Sequence, residues 1–307
     1  MSLRRALFAT VAILLSLLPA SAADAGNDGY APSRLPTPAR SLLTSGQDQV
    51  HFLTYNMGAG CNDPNLCSGP GEQRAFELYI IAAASPRMPM AIAVQEMCRH
   101  TGYNALASYF DDHLYLSHFY AERTGTSGRS VCGGTTSDYQ FGVGVFWLGA
   151  CWNNDCRHTF TYSSQSSGEA RGYACARAAF PTYWACSTHL AAADATAALQ
   201  ADQYYSWTSV MDLSARVVAA GDFNVAPEAT QDTEFENHFP PWREANCLFI
   251  LAQCMTHEFR DPPDVGPYVQ KKHDYIFSSM CRTHNGAVHF TNLSDHHVLQ
   301  GYFSGSC

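Results

Sequence analysis

Lysine is nearly missing from this chain: of 18 basic residues in 307, only Lys271 and Lys272 are lysines, and 27 acids bring the formal net charge to -9. Charge of either sign is scarce, at 15% of residues. Disorder needs dense charge with low hydrophobicity, collagen a glycine at every third position, and coiled coils Glu/Lys-rich heptads; none of these patterns is present. What is present, 46% hydrophobic and 12% aromatic residues with 22 Gly and 15 Pro, suffices for one large packed core. The acidic balance argues against a basic groove that holds nucleic acid by charge alone. It leaves room for an enzyme that recruits divalent cations and meets a phosphodiester with acidic residues. Arginine in place of lysine, beside abundant alanine, is the bias of a GC-rich genome and points to a bacterial source.

Long apolar runs are missing after the first 22 residues. There, Arg4 and Arg5 form a basic start, Ala6 to Leu18 an apolar stretch, and Ala20-Ser21-Ala22 a small-residue cleavage site. A spanning helix needs roughly 20 apolar residues, so the run reads as a secretory signal peptide rather than an anchor. Its removal leaves 16 basic against 27 acidic residues. Residues 23–47, with Pro32, Pro36 and Pro38 among Gly, Ser and Asp, read as a flexible lead-in, and residues 48–307 as one domain without repeat or linker. No stable membrane insertion and no protein partner are expected, and a soluble, secreted, extracellular monomer is the default.

All 12 cysteines (61, 67, 98, 132, 151, 156, 175, 186, 247, 254, 281 and 307) follow the signal. The pairs Cys61/Cys67 and Cys151/Cys156 are spaced too widely for a usual structural zinc site, so the reading is six disulfides, with local loops 61–67 and 151–156 first.

Short β-rich runs predict strands over Val50–Tyr55, Ala91–Gln95, Gly142–Trp147, Thr182–His189, Val217–Gly221, Tyr275–Phe277 and Val298–Phe303. Two segments have helical spacing instead. Phe76, Tyr79, Ile80 and Ala83 form one stripe, and Ala195, Leu199, Val210 and Leu213 share a face of 194–214; both are read as core packing. Strands mixed with a few helices make a layered α/β or α+β domain.

Polar residues recur at the ends of these apolar runs: Asn56 after the first, Gln95-Glu96 after the second, then Ser187-Thr188-His189-Leu190, Gly221-Asp222-Phe223-Asn224, Lys272-His273-Asp274 and Ser294-Asp295-His296-His297. Each alone is an ordinary strand end. Together they supply carboxylates, amides and imidazoles at the edges of one sheet core, which is what phosphodiester hydrolysis with hard metal ions requires.

In order and wording, Gln95-Glu96, Ser187-Thr188-His189-Leu190, Gly221-Asp222-Phe223-Asn224 and Ser294-Asp295-His296 resemble the endonuclease/exonuclease/phosphatase superfamily, from about Gln49 to Phe303. The resemblance implies a deoxyribonuclease I-like, four-layer sandwich of two mixed β-sheets flanked by helices. It implies Mg²⁺, with Mn²⁺ or Ca²⁺ as alternatives, held by Glu96 with Asn56 and Asp295. Asp222 and Asn224 would position the attacking water and phosphate oxygens. His296 would be a catalytic imidazole paired with Asp274, and His189 would bind phosphate or protonate the leaving oxygen. Arg171, in Gly168-Glu169-Ala170-Arg171-Gly172-Tyr173 ahead of the strand that ends at His189, resembles an arginine that contacts the substrate phosphate; the alternative is a surface arginine in a loop.

The sequence departs from the family pattern at the carboxylate partner of His189. Glu122, Asp138 and Glu169 lie in the right region, none in a matching motif. His297 and His273 adjoin site residues, but strand neighbours point to opposite faces, so packing or solvent is the reading for both. Tyr204, Tyr205 and Trp207 read as core or surface aromatics rather than a base-stacking platform. Asn292-Leu293-Ser294 matches an N-glycosylation pattern but abuts the site and is discounted.

The resulting reading is a secreted metal-dependent phosphodiesterase, a nuclease acting on DNA. A sphingomyelinase or phospholipase C of this fold calls for an exposed apolar wedge, and a phosphoinositide phosphatase for a basic pocket; neither stands out. An inactive binding domain predicts decay in one of Glu96, His189, Asp222, Asn224, Asp274, Asp295 and His296, and all seven are intact.

Overall fold

A computed structural model describes residues 49–58, 71–85, 88–111, 113, 115–123, 131–132, 140–151, 156–165, 169–178, 182–192, 194–212, 215–225, 243–244, 256–260, 268–271, 273–279, 282–291 and 293–304. All belong to the compact unit Ser41–Cys307. The segments read as signal peptide and lead-in lie outside the described residues, apart from the first strand's start at Gln49.

Two six-stranded mixed sheets carry the fold. The first contains β1 (Gln49–Asn56), β2 (Ala91–Cys98), β3 (Tyr115–Arg123), β4 (Phe141–Leu148), β13 (Arg282–His289) and β14 (Val298–Ser304), ordered β13-β14-β1-β2-β4-β3. The second contains β5 (Arg157–Thr161), β6 (Gly172–Ala178), β7 (Tyr183–His189), β8 (Arg216–Asp222), β9 (Arg243–Glu244) and β12 (Asp274–Ser278), ordered β5-β6-β7-β8-β12-β9. A separate ribbon pairs β10 (His257–Arg260) with β11 (Tyr268–Lys271). Among the described residues only β1–β2 and β7–β8 run parallel, one pair in each sheet.

Side-chain alternation explains why the sheets stack. Phe52, Ala91, Ala93, Val143, Val145 and Trp147 turn inward from the first sheet and meet Ala174, Ala176, Ala185, Val218, Ala220 and Ile276 of the second. The second sheet's inner face is mostly alanine, which makes room for Trp147 and Phe52 opposite. On the outer faces, α1 (Gly71–Ala84) and α2 (Asn104–Asp111) pack over the first sheet through Ala75, Leu78, Leu106 and Phe110. The long helix α3 (Asp194–Asp212) covers Tyr173, Cys175, Cys186 and Ala219 of the second. The order helix, sheet, sheet, helix is the expected four-layer sandwich.

The Cys151–Cys156 disulfide is present, as are Cys98–Cys132 and a cross-strand Cys175–Cys186 bond under α3. The remaining cysteines, with the expected 61–67 loop, lie outside the described residues.

The expected strands form with ends shifted by a few residues, while β3, β5, β6, β9, β10, β11 and β13 were not foreseen. Arg171 accordingly precedes β6, one hairpin earlier than expected. Both helix stripes need correction. On α1 the buried face is Arg74, Ala75, Leu78, Tyr79 and Ala82, with Phe76, Ile80 and Ala83 at its margin. On α3 the error is larger: Leu199 and Val210 are 53% and 60% exposed, and Ala195 is exposed too. The packed face is Ala197, Gln200, Ala201, Tyr204, Thr208 and Met211. Counting only large apolar residues picked the wrong side, because the face over the sheet is made of alanines, Tyr204, Met211 and polar residues that bond inside: Gln200 binds the Ala191 amide and the Ser164 carbonyl, and Thr208 the Tyr204 carbonyl.

This assignment predicts opposite outcomes on one helix. Leu199→Gln should change stability by no more than about 0.5 kcal/mol, whereas Tyr204→Ala should cost about 3 kcal/mol or more. Urea unfolding of both variants checks it; a costly Leu199→Gln would restore the original stripe.

Candidate active site

Strand register brings the candidate residues to one edge of the sandwich. In the first sheet Asn56 pairs with Gln95, so Asn56 and Glu96 leave parallel strands at the same end. β14 runs antiparallel to β1, with Thr54 opposite Leu299, so residues 294–297 arrive there from the other direction. In the second sheet His189 pairs with Asp222, and Asp222 with Asp274. Across the gap, Asn56 Nδ2 donates to Asp222 Oδ2 at 2.8 Å. Behind that contact, Gln95 Nε2 donates to Ser187 Oγ at 3.0 Å, and Ser187 Oγ to the Val94 carbonyl at 3.0 Å.

Strict alternation would turn Glu96 away from this gap, because Gln95 already points into it. A register shift between Val94 and Met97 and a left-handed backbone at Glu96 (φ 47°) redirect the side chain. Its Oε1 then lies 3.2 Å from Asn56 Nδ2 and 3.5 Å from His189 Nε2. Asn224 is the other non-glycine residue with positive φ, 52°, among the described residues. Such conformations cost on the order of 1–3 kcal/mol and collect at functional sites. Asn224 donates its amide N–H to Asp222 Oδ1 at 2.8 Å and its Nδ2 to the Leu190 carbonyl at 2.8 Å, pinning the loops after β7 and β8 together. Between them, Gly221 is obligatory: a Cβ there would stand 2.0 Å from the Thr188 carbonyl oxygen.

Two imidazole–carboxylate pairs face Asp222. His296 Nδ1 lies 2.7 Å from Asp274 Oδ2, and its Nε2 lies 3.6 Å from Asp222 Oδ2. His189 Nδ1 lies 3.4 Å from Glu122 Oε2, and its Nε2 3.6 Å from Asp222 Oδ2. Asp274 is held by Thr256, whose hydroxyl accepts the Asp274 and His273 amides at 3.0 and 3.1 Å. Asp295 joins through Ser294, whose hydroxyl bonds Asp295 Oδ1 at 3.3 Å and the Asn56 carbonyl at 2.9 Å. Asp222, Asp274, His189 and His296 are buried, while Glu96, Asp295 and Asn224 form a partly exposed rim.

Mutual neutralisation sets the charge states. Burial disfavours a His296 cation, but Asp274 and then Asp222 outweigh it and push the imidazole up to about 10. Burial alone would raise Asp222; His296 and His189 instead hold it well below the usual carboxylate range. At Asp274 burial wins and raises the carboxyl. His189 is raised: burial and Arg171 oppose its charge, and Glu122 prevails.

Sequence reasoning left His189 with three candidate partners, and the structure selects Glu122, buried on β3. Asp138 lies outside the described residues, and Glu169 instead pairs with Arg171. Arg171 is no solvated loop residue. It is buried, with Nη1 3.7 Å from Glu122 Oε2 and Nη2 in contact with Glu169. It therefore stands behind the His189–Glu122 pair. His297 packs, as expected: buried, it accepts the Thr291 amide at Nδ1. His273, expected to turn away, instead lies 6.5 Å from the His296 ring, centroid to centroid. Arg74 on α1 was missed. It donates to the Met57 carbonyl, and its charge acts on Asp295 and Glu96. No motif marked it, since nothing in a helix sequence says which arginine turns inward.

Two groups converge closely enough to share an ion, Glu96 with His189 and Asp222, and Asp222 with Asp274 and His296. In the second the imidazole and a carboxylate already bind each other. The first offers the carboxylate oxygens of Glu96 and Asp222, hard donors of the kind that Mg²⁺, Mn²⁺ or Ca²⁺ require, while Asn56 meets it through Nδ2 and turns its Oδ1 to the Gly58 amide at 2.9 Å.

No protein-family model matches the sequence, and no curated protein matches it in sequence. Solved structures do match. An endonuclease/exonuclease/phosphatase from Bacteroides vulgatus superposes with TM-score 0.63 at 13% identity, over 84% of this chain and 99% of that one. The human Nocturnin catalytic domain with bound sulfate gives 0.57 at 14% identity, covering 84% and 95%. Truncated Caenorhabditis elegans TDP2 gives 0.57 at 13%, covering 83% and 98%. The fold of this chain is the endonuclease/exonuclease/phosphatase fold.

The raised His296 has a measurable consequence in chelator. With a folded value near 10 against 6.5 unfolded, its contribution is complete below about pH 6.5 and is lost as pH rises through about 10. Stability should fall between pH 7 and 10, and more steeply in the wild type than in His296→Gln. Identical slopes in denaturant titrations would refute the imidazolium pair.

Proposed function

We propose that this chain is a metal-dependent phosphodiesterase that hydrolyses nucleic acid, DNA foremost. One observation carries the reading: the two buried pairs, His296–Asp274 and His189–Glu122, flank one ionised carboxylate, Asp222, beside an open rim of oxygen donors. The fold supports it, since solved structures sharing it bear the endonuclease/exonuclease/phosphatase name.

Glu96, Asn56 and Asp295 would hold the divalent ion, which when bound offsets negative charge on the phosphate. The chain's own residues do the rest. Asp222, kept ionised by two imidazoles, is too weak a base to remove a proton outright and serves to orient the attacking water. Asn56 faces Asp222 and fixes its position. His296, cationic through Asp274, stabilises charge developing on the phosphate oxygens. The two imidazoles divide phosphate binding and protonation of the leaving oxygen between them. Arg171 steadies the Glu122 charge from behind His189.

Glu96→Gln and His296→Ala should each lower Mg²⁺-dependent nicking of supercoiled plasmid by about 100-fold or more while leaving circular dichroism unchanged. Near-normal nicking in both sinks the assignment. Phosphocholine release from sphingomyelin vesicles with intact plasmid would move the activity to lipid.

Secretion belongs to the same proposal. The described disulfides suit an oxidising compartment, and no described helix is long and apolar enough to cross a membrane. Mass spectrometry of the exported protein should find Ala23 as its first residue; retention of residues 1–22 would refute the signal.

A further inference from the structure

A cavity of about 360 Å³ opens at the edge strand β3, and its lining includes Arg99, Tyr103, Ser117, His118, Gln140 and Arg157. Its chemistry is one-sided. Arg99 donates to Gln140 Oε1 at 2.7 Å and lies 6.0 Å from the Phe119 ring centroid; Arg157 lies 5.9 Å from the Trp147 ring. Among the described residues neither guanidinium meets a carboxylate, in a chain with 27 acids and 18 bases. The Tyr103 hydroxyl donates to Ser117 Oγ at 2.8 Å, which leaves the Ser117 proton to offer elsewhere. Nε2 of His118 is buried and makes no hydrogen bond. Burial, then the charges of Arg157 and His158, pushes that imidazole down to about 4. No acidic side chain among the described residues lines it.

Position ties the cavity to the candidate site. Arg99 follows Glu96 by three residues, a span of at most about 10 Å. Ala121, also on the cavity wall, immediately precedes Glu122. Four donor groups of three kinds line it: two guanidiniums, a hydroxyl and an imidazole. That arrangement matches a tetrahedral oxyanion with many acceptor positions better than a planar carboxylate.

We propose that this cavity binds a phosphate group of the substrate other than the one being cleaved, so that the protein selects substrates carrying several phosphates. The substrate origin of that phosphate rests on the phosphodiesterase reading; the phosphate site itself rests on the cavity alone. Arg157 and the Nε2–H tautomer of His118 would donate from the inner face of β3, and Arg99 and Ser117 Oγ from its outer face, meeting around the open edge of the strand. Arg99→Gln and Arg157→Gln remove charge at exposed positions outside the catalytic machinery, so they should leave the fold intact.

Two measurements separate the parts. Inorganic phosphate is titrated into Glu96→Gln protein in EDTA, where turnover is blocked, and the His118 ring is followed by NMR. Saturable shifts with a rise in the His118 titration midpoint are expected, weakened about tenfold or more by the paired arginine substitutions. In otherwise wild-type protein, the same pair should raise KM for an oligodeoxynucleotide about tenfold and reduce the salt slope of its binding by about 2. It should leave hydrolysis of bis(4-nitrophenyl) phosphate, which has one phosphorus, unchanged. Phosphate binding at His118 in a protein that cleaves no phosphodiester would keep the phosphate site and overturn the catalytic reading, assigning the cavity to free phosphate. No His118 response, with oligonucleotide KM unaltered by the arginine substitutions, would overturn the proposal while the catalytic reading stood.

Discussion

Ionised groups survive in a dry gap only when they neutralise one another, and the centre of this molecule is built on that constraint. Asp222 is buried between two imidazoles, and each imidazole has its own buried carboxylate, Asp274 for His296 and Glu122 for His189. Removing either histidine would leave carboxylates facing one another with little water to screen them, a cost of several kcal/mol. Five groups from five strands or strand ends therefore hold positions that none could hold alone. The sheets must stay in one register for the cluster to exist, and the Asn56–Asp222 hydrogen bond is where they meet.

Register does the positioning, and departures from regularity do the aiming. Parallel pairing sets Asn56 beside Gln95 and His189 beside Asp222, so one parallel pair per sheet sends its strand ends to the same edge. A regular β2 would nevertheless bury Glu96 under the helices, and the bulge with its left-handed residue reverses that. Asn224 repeats the device after β8. Both strained residues are fastened, Glu96 through Asn56 and Asn224 through Asp222 and Leu190, so strain is offset by hydrogen bonds within the site.

Much of this was legible in the sequence for a simple reason. A buried strand ending in a polar residue is a local pattern, and Ala91–Gln95 before Glu96, or Val217–Gly221 before Asp222, displays it within six residues. The partner of His189 was not legible, because Glu122 sits on β3, where apolar and polar residues mix too evenly to announce a strand, and because its pairing with His189 spans 67 residues of chain. Arg74 and Thr256 escaped likewise. Each works by bonding to backbone, Arg74 to the Met57 carbonyl and Thr256 to the amides of His273 and Asp274, and backbone contacts leave no trace in side-chain periodicity. The α3 stripe failed from the opposite cause. Leu199 and Val210 look like core on any hydrophobic scale, yet the helix turns alanines, Tyr204 and hydrogen-bonded Gln200 and Thr208 to the sheet. Hydrophobicity ranks residues, but the width of a gap decides which fit.

On the proposed reading an acidic protein meets a polyanion and must keep its own charge from repelling it, and the arginines of this chain fall into two settings. Arg74 and Arg171 are buried among carboxylates, where a guanidinium can serve several acceptors at once and retains its charge despite the loss of water. Arg99 and Arg157 stand in the open beside aromatic rings, with no acid among the described residues to cancel them. A lysine ammonium is a strongly hydrated point charge that suits neither setting as well, being costly to bury and without a planar face to lay on Phe119 or Trp147. The near-absence of lysine is thus more than a trace of genome composition: at these four positions the chemistry calls for a guanidinium.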